Sequence, residues 1–389
     1  QMPLLYNMKT NLKLLMIMAA LTGISSCGPQ YQEPTEGSDI GFALSYFQKV
    51  NETVKYDENL IVSPYSAGVA LSMLAEGAEG ETKAEFADAL NGCLFKAEDL
   101  GGGEDLIVKS ANSIWVDDNF SLRNRYVDLL EKDFDAFITT QNFADPATVK
   151  AINNWCAENT EGKISKIIDE LGRGTVMVLM NALYFNAPWE YAFDPAQTTD
   201  KVFHGISGDS EVPMMTRKAR FMYAEYQGCQ MVRLPYNGER YAMYIVLPPA
   251  NMDVNSVIPY ISESAYDAAM GMLAAGEVIV EMPKFKLEAS FLLNDALEKM
   301  GILTAFSGAA DFSGISAMGP LSLSQVKQKC YIDVSEKGTE AAAVTSAQVR
   351  LTSVAPSRVM RMTVDRPFLF FIADTQAENI LFAGKIVDL

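Results

Sequence analysis

Val176-Met177-Val178-Leu179-Met180-Asn181-Ala182-Leu183-Tyr184-Phe185 is a near-continuous apolar run. A strand buried on both faces reads this way, because neither side of its pleat meets water. Tyr241 to Leu247 and Val278 to Met282 have the same character, and Phe368 to Ala373 with Ile380 to Val387 make a closing pair of strands. The folded part is expected to begin near Ile40, and helical spacing fills the first half. Ser63-Pro64 opens a helix whose Val69, Ala70, Met73 and Leu74 share one face, with Gly77 near its end. A second helical run covers Lys83 to Leu90. Strands are expected from Thr175 onward, interrupted by a helix over Phe291 to Met300. Gly101-Gly102-Gly103 is a loop, since no strand-to-helix pattern follows to make it a phosphate cradle. With no internal repeat and no proline-rich linker after residue 40, a single α+β domain fits the chain.

Composition narrows the function. The 389 residues are 49% hydrophobic and 21% charged, with a formal net charge of -18. Such a surface repels phosphate backbones, so nucleic acid is not an expected partner. Lys9 and Lys13 precede an apolar run from Leu14 to Ile24, and Ser25, Ser26 and Cys27 follow. That is the order of a secretory signal, with Met8 as its start, and the run is too short to span a bilayer. Residues 28 to 39 are rich in Pro, Gly, Gln and Glu and form a tether rather than core. Cys93, Cys156, Cys229 and Cys330 contain no Cys-x-x-Cys pair, so neither a zinc site nor a redox motif is indicated; four buried single thiols are expected.

The chain has one histidine, His204, following Val202-Phe203 in an expected surface segment. Triad catalysis needs an imidazole beside the nucleophile, and no Gly-x-Ser-x-Gly motif stands ready to partner this one. Zinc hydrolase patterns need two histidines on one helix face, so they are excluded. No catalytic residue, cofactor or metal site is expected.

The unusual stretch runs from Glu336 to Thr363. As an alternating strand, Thr339, Ala341, Ala343, Thr345, Ala347 and Val349 fall on one face, all small or apolar. Glu340, Ala342, Val344, Ser346, Gln348 and Arg350 fall on the other. No proline or glycine occurs between Thr339 and Val354, and Pro356 is the first residue that would block a central strand. The segment has strand periodicity without bulky anchors: a loop now, and a strand later. Its alternative is an alanine-rich helix or a flexible loop, because Glu340 to Ala343 also favours helix.

Residues Glu336 to Ala343 resemble the hinge of the serpin reactive-centre loop, and the likeness extends along essentially the whole mature chain. Asn59-Leu60-Ile61-Val62-Ser63-Pro64-Tyr65-Ser66 resembles the family's shutter region, and Asn153, Trp155, Thr160 and Gly162-Lys163-Ile164 its sheet-crossing helix. Asn181-Ala182-Leu183-Tyr184-Phe185, with Trp189 and Phe193, is similar to the strand that leads to the breach. Val212-Pro213-Met214-Met215, Leu234-Pro235-Tyr236, Pro283-Lys284-Phe285 and Met300-Gly301-Ile302 follow in order. Asp365-Arg366-Pro367-Phe368-Leu369-Phe370 resembles the family's closing signature. Ile24-Ser25-Ser26-Cys27 resembles the lipobox of bacterial lipoproteins; the alternative is ordinary secretion with Cys27 incidental.

The resemblance implies an α+β fold in which helices pack around three β-sheets, with a large central mixed sheet and an exposed reactive-centre loop. It implies a hinge at Glu336, Gly338, Thr339, Glu340, Ala341, Ala342 and Ala343, and a shutter and breach built on Ser63, Ser66, Asn181, Trp189 and Gln328. The family often has histidine where Gln328 stands, so a rebuilt, less pH-sensitive polar cluster is expected. The span from Glu336 to Pro367 is longer than in the best-known members, which leaves the severed bond open within Arg350, Leu351, Thr352 and Ser353. Family spacing favours Thr352; side-chain chemistry favours Arg350 or Leu351. The implied partners are serine proteases of trypsin, elastase, chymotrypsin or subtilisin type, with cysteine proteases as a further class. The implied molecule is a monomer, exported and anchored through Cys27 at the outer membrane, facing the periplasm or the cell surface. A non-inhibitory carrier of the same fold, or a plain protease substrate, is the alternative function, and a surface hydrolase is disfavoured by the lone His204.

Overall fold

In the computed structural model, residues 38–97, 100–101, 106–318, 321–339 and 359–389 are described. Helices dominate the start. α1 is Asp39–Asn51 and α2 is Pro64–Gly77, where the Ser63 hydroxyl accepts from the Ser66 N–H and Pro64 occupies the first turn. Serine is a good cap for this reason, and proline costs nothing where the N–H has no helical partner. α3 (Gly80–Ala89), α4 (Asn124–Phe134) and α5 (Pro146–Asn159) follow. The second helical run therefore starts three residues earlier than its hydrophobic spacing suggests.

The strands are β1 (Leu60–Val62), β2 (Ile107–Asp117), β3 (Phe137–Gln141), β4 (Met177–Pro188), β5 (Thr199–His204), β6 (Asp209–Tyr226), β7 (Cys229–Pro235) and β8 (Tyr241–Leu247). They continue with β9 (Ala274–Pro283), β10 (Phe285–Leu292), β11 (Gln325–Ser335), β12 (Gly338–Thr339), β13 (Met360–Thr363), β14 (Phe368–Asp374) and β15 (Asn379–Ile386). Two expectations are corrected here. β2 and β3 precede Thr175, and the half-polar Ile107–Ser110 start hid the first of them, because only its second half is fully buried. Phe291 ends strand β10 rather than opening a helix, and the helix after it covers only Asn294–Lys299. A short apolar run fits either period, and here its pairing with β11 decides.

Among the described residues the strands form two sheets. One has six strands in the order β10-β11-β12-β4-β2-β3, with β11 also paired directly to β4. The other has nine: β1-β15-β14-β8-β7-β6-β9-β13, with β5 on β6. Two of the three expected sheets are joined, because the 18-residue β6 pairs with β5 at its start, with β9 along its middle and with β7 at its end.

The core lies between the sheets and against α1 and α2. Of α2, only Glu76 is not buried, and Phe185, Tyr236, Tyr241 and Phe382 meet edge to face beneath the six-stranded sheet. A smaller cluster covers that sheet's other face. There Ile152, Cys156, Ile164, Ile167 and Ile168, from α5 and the chain after it, pack on Trp115, Val178, Met180, Ala182 and Tyr331. Of the four thiols, Cys156 and Cys330 are buried, whereas Cys93 and Cys229 are only half-buried; all are free. Cys93 follows a turn and packs against the edge of the core, and Cys229 sits at a hairpin end.

The end of α2 is packed to backbone contact. A Cβ on Gly314 would lie 2.7 Å from the Gly77 carbonyl oxygen, and one on Gly77 would lie 2.3 Å from Ile315 Cγ1. Gly314→Ala should therefore lower native stability by about 1–3 kcal/mol through overpacking. The midpoint of the first unfolding transition in urea, compared with that of Gly308→Ala, where the added Cβ meets open space, checks this.

Candidate functional site

The site is the slot between β4 and β11 and the two polar clusters along it. β4 and β11 run parallel and pair directly from Gln325–Val178 to Cys330–Leu183. Above that stretch β12 lies between them, with Thr339 opposite Val334 on one side and Ala187 on the other, antiparallel to both. Val334 and Ala187 stand at the same offset as the directly paired residues below. The strands are thus spread at the top by two residues without a change of register.

Gly338 is needed for this wedge. Its φ is +154°, and a Cβ would lie 2.2 Å from the Ala187 carbonyl oxygen. Any side chain would push the β4 backbone away. Thr339 follows it, fully buried, with its hydroxyl 2.6 Å from that of Tyr236. The Tyr236 ring stacks on Trp189 at 4.4 Å, and the Trp189 indole N–H donates to the Ser335 carbonyl at 2.9 Å. Backbone bonds from Trp189 N to Lys337 O and from Phe193 N to Glu336 O fix the turn that leads into β12. Glu336 accepts from Lys284 and from the Thr198 hydroxyl, both at 2.9 Å. Burial pushes its carboxyl up, but the hydrogen bonds from Lys284 and Thr198 and the charge of Lys284 outweigh this and hold it below the ordinary glutamate value.

The second cluster lies where the slot is closed. Gln328 and Asn181 are register partners on β11 and β4, and the Gln328 amide donates to the Asn181 side-chain oxygen at 2.7 Å. Its other N–H donates to the Ser63 carbonyl at 2.9 Å. Its oxygen accepts from the Ser63 N–H at 2.9 Å and the Tyr46 hydroxyl at 3.1 Å. Both donors and both lone pairs of the amide are used, with the residue wholly buried. Asn181 donates in turn to the Ser66 carbonyl at 2.9 Å, to Asn112 Oδ1 at 2.6 Å and to the Ser66 hydroxyl. The cluster ties β4 and β11 to the start of α2.

Ser63, Ser66, Asn181 and Gln328 are therefore brought together, and Trp189 joins Glu336, Gly338 and Thr339 at the other cluster. Glu340, Ala341, Ala342, Ala343, the window Arg350, Leu351, Thr352 and Ser353, and Cys27 lie outside the described residues. His204 is exposed, with its Nδ1 2.8 Å from Asp209 Oδ1. Sequence reasoning missed Tyr46 and Asn112, whose helical and strand spacing gave no polar signal. It also gave no role to Lys284, Thr198 or Tyr236, although Lys284 and Tyr236 stand in two of the quoted motifs.

Strand β13, which follows residue 358, is held at the sheet edge by one carboxylate. Glu281 of β9 accepts from Lys201 at 3.0 Å, Arg361 at 3.0 Å and the Thr363 hydroxyl at 2.8 Å. The segment between Thr339 and Met360 is anchored in the six-stranded sheet at one end and in the nine-stranded sheet at the other.

A slot opened at one end by Gly338 and Thr339, with a polar latch closing it below, fits the serpin fold. The family model described as Serpin (serine protease inhibitor) matches residues 38–389, and the chain belongs to this family of protease inhibitors. It is 34% identical to an uncharacterized serpin-like protein of Thermococcus kodakarensis, over 88% of this chain and 83% of that one. The native state of the thermophilic serpin tengpin superposes with a TM-score of 0.83 at 29% identity, covering 94% of this chain and 96% of the other. Mouse protein-Z dependent protease inhibitor gives 0.82 at 28% identity, covering 91% and 96%.

Two outcomes are expected. Gln328→Leu leaves the Asn181 oxygen, the Ser63 backbone groups and the Tyr46 hydroxyl without partners, at about 1–3 kcal/mol for each buried orphan. The first thermal transition should fall, and differential scanning calorimetry would show it. Because the folded pKa of Glu336 is depressed, its contribution is present above the unfolded value and is lost as pH falls through the folded one. Acidification through the carboxylate range should lower the transition in the parent and lower it less in Glu336→Gln.

Proposed function

We propose that the chain inhibits serine-type endopeptidases as a suicide substrate, with bait bonds in the window Arg350 to Ser353. A protease attacks the bait and forms an acyl-enzyme; the severed segment then enters the slot as a new central strand and carries the protease away before water completes hydrolysis. This strand addition is the family's known behaviour, applied here to this chain's own residues. About 14 residues at roughly 3.4 Å each would add some 48 Å of strand. The native fold is then held by a kinetic barrier rather than by equilibrium.

The single observation that carries the reading is the preserved register around Thr339. Continued downward, it would set Ala341 between Ile332 and Phe185, Ala343 between Cys330 and Leu183, and Ala347 between Val326 and Leu179. Each of those neighbours is buried, so only small side chains fit that face. Thr345 would arrive between Gln328 and Asn181, where its hydroxyl can replace the bond that the entering strand breaks. The segment has small residues at these places, which supports an inhibitor over a carrier or a plain substrate.

The bond after Thr352 agrees with the family's spacing, and Arg350 and Leu351 offer alternatives to trypsin-like and to chymotrypsin- or subtilisin-like enzymes; cysteine proteases are a further target class. The protein acts as a monomer, without a metal or cofactor. It is a bacterial lipoprotein anchored at the outer membrane through Cys27, with a signal peptide and lipobox over residues 1–27 whose start is Met8, a tether at 28–39 and one domain over 40–389.

Incubation with trypsin, elastase and subtilisin should give a covalent complex that survives denaturing electrophoresis, and the cleaved protein should melt well above the intact one. Cleaved protein alone, with an unchanged melting temperature, would refute the mechanism. Thr339→Arg puts a charge into the buried wedge and should turn the inhibitor into a substrate, read as loss of the complex band with cleavage retained.

A further inference from the structure

The turn that follows Tyr236 contains Asn237-Gly238, and a second Asn-Gly pair occurs at Asn91-Gly92. In such a pair the glycine nitrogen can attack the asparagine side-chain carbonyl carbon, because no Cβ obstructs its approach. In a folded chain the outcome depends on whether that nitrogen is already committed. The two pairs differ on this point. The Gly92 N–H donates to the Ala87 carbonyl at 2.8 Å, closing the end of α3. The Gly238 N–H makes no hydrogen bond to any described residue, since the turn is closed instead by Glu239 N to Tyr236 O at 2.9 Å. Asn237, Gly238 and Glu239 are all exposed, so water reaches the reacting atoms. Gly238 has φ +82°, the value expected of glycine at the third position of a tight turn.

We propose that Asn237 is a site of spontaneous deamidation, and that its conversion loosens the grip on Thr339. The Gly238 nitrogen forms a bond to Asn237 Cγ, the bond from Cγ to the side-chain nitrogen breaks, and that nitrogen leaves as ammonia with the proton from Gly238. Water then opens the resulting ring. Cleavage at Cγ gives aspartate; cleavage at the main-chain carbonyl gives isoaspartate, with the chain running through Cβ and Cγ. The net reaction consumes one water and releases one ammonia, with no oxidant or reductant.

The position matters because this turn is part of the breach. The Asn237 N–H donates to the Pro188 carbonyl at 2.9 Å, and Tyr236 makes an isolated bridge to Trp189. Tyr236 also stacks on Trp189 and meets the Thr339 hydroxyl at 2.6 Å. An isoaspartate adds a methylene to the main chain one residue beyond Tyr236 and enlarges the ring closed by Glu239, so the tyrosine is held less firmly. The added carboxylate stands two residues before Glu239 on the same turn, and Arg233 donates to the Glu239 carbonyl at 3.2 Å. This inference rests on the geometry of the breach and stands whether or not the chain inhibits a protease.

The full chain would be held in mildly alkaline buffer, digested, and followed by peptide mass spectrometry and by methylation with an isoaspartyl methyltransferase. Asn237 should convert at least about tenfold faster than Asn91, the ratio that about 1.4 kcal/mol of barrier produces. Gly238→Ala should suppress conversion, and Asn237→Gln should abolish it. Hydrogen exchange at Gly338 and Thr339 should be faster in aged protein than in fresh protein, and unchanged in equally aged Asn237→Gln. Asn237→Asp, which adds the charge without the methylene, should exchange like the fresh parent. Equal conversion at both sites, no conversion at Asn237, or unchanged exchange in converted protein would overturn the proposal.

Discussion

The structure depends on the side-chain hydrogen bond from Gln328 to Asn181, at the level where β11 and β4 still pair directly. Parallel neighbours without a connecting strand between them would ordinarily make a finished sheet. Here they are parted above by Gly338 and Thr339, which wedge between them without changing their register. The amide pair is set in a fully buried position where every polar group is used, and breaking it exposes several groups at once.

An amide in this place has a particular consequence. An imidazole would gain a proton across mildly acidic pH, whereas Gln328 presents the same two donors and two acceptors throughout that range. The groups that do respond to acid lie elsewhere, at Glu336 and Glu281, both held low by lysine or arginine partners and hydroxyl donors once burial is overcome. Glu336 and Glu281 stand near the two ends of the chain from Thr339 to Met360, whereas the Gln328 amide carries no titratable group.

Much of this was legible in the residues. The apolar run from Val176 to Phe185 identified the central strand because burial on both faces leaves no room for polar alternation. The Ser63-Pro64 cap identified α2 because its chemistry is local. Of the small-residue face from Thr339 to Val349, only Thr339 lies among the described residues, and it is buried against Tyr236. β2 stayed hidden because its first half lies at a partly solvated stretch where Lys109 and Ser110 break the pattern. The helix expected over Phe291 to Met300 failed because a half-buried edge strand and an amphipathic helix share apolar spacing over so few residues. Tyr46 and Asn112 could not be found at all from their own neighbours, since their roles come from residues more than sixty positions away in the chain.

The chain from Thr339 to Met360 begins in one sheet and ends in the other, with Glu281 as the rivet at the second end. In the proposed mechanism the intact chain limits how far Thr339 can advance, because its far end is sewn into a different sheet. Scission anywhere along it removes that restraint in one chemical event and leaves each half fastened where it began. In that mechanism the protein needs no receptor or gear to sense that it has been cut: the loss of mechanical continuity is itself the signal.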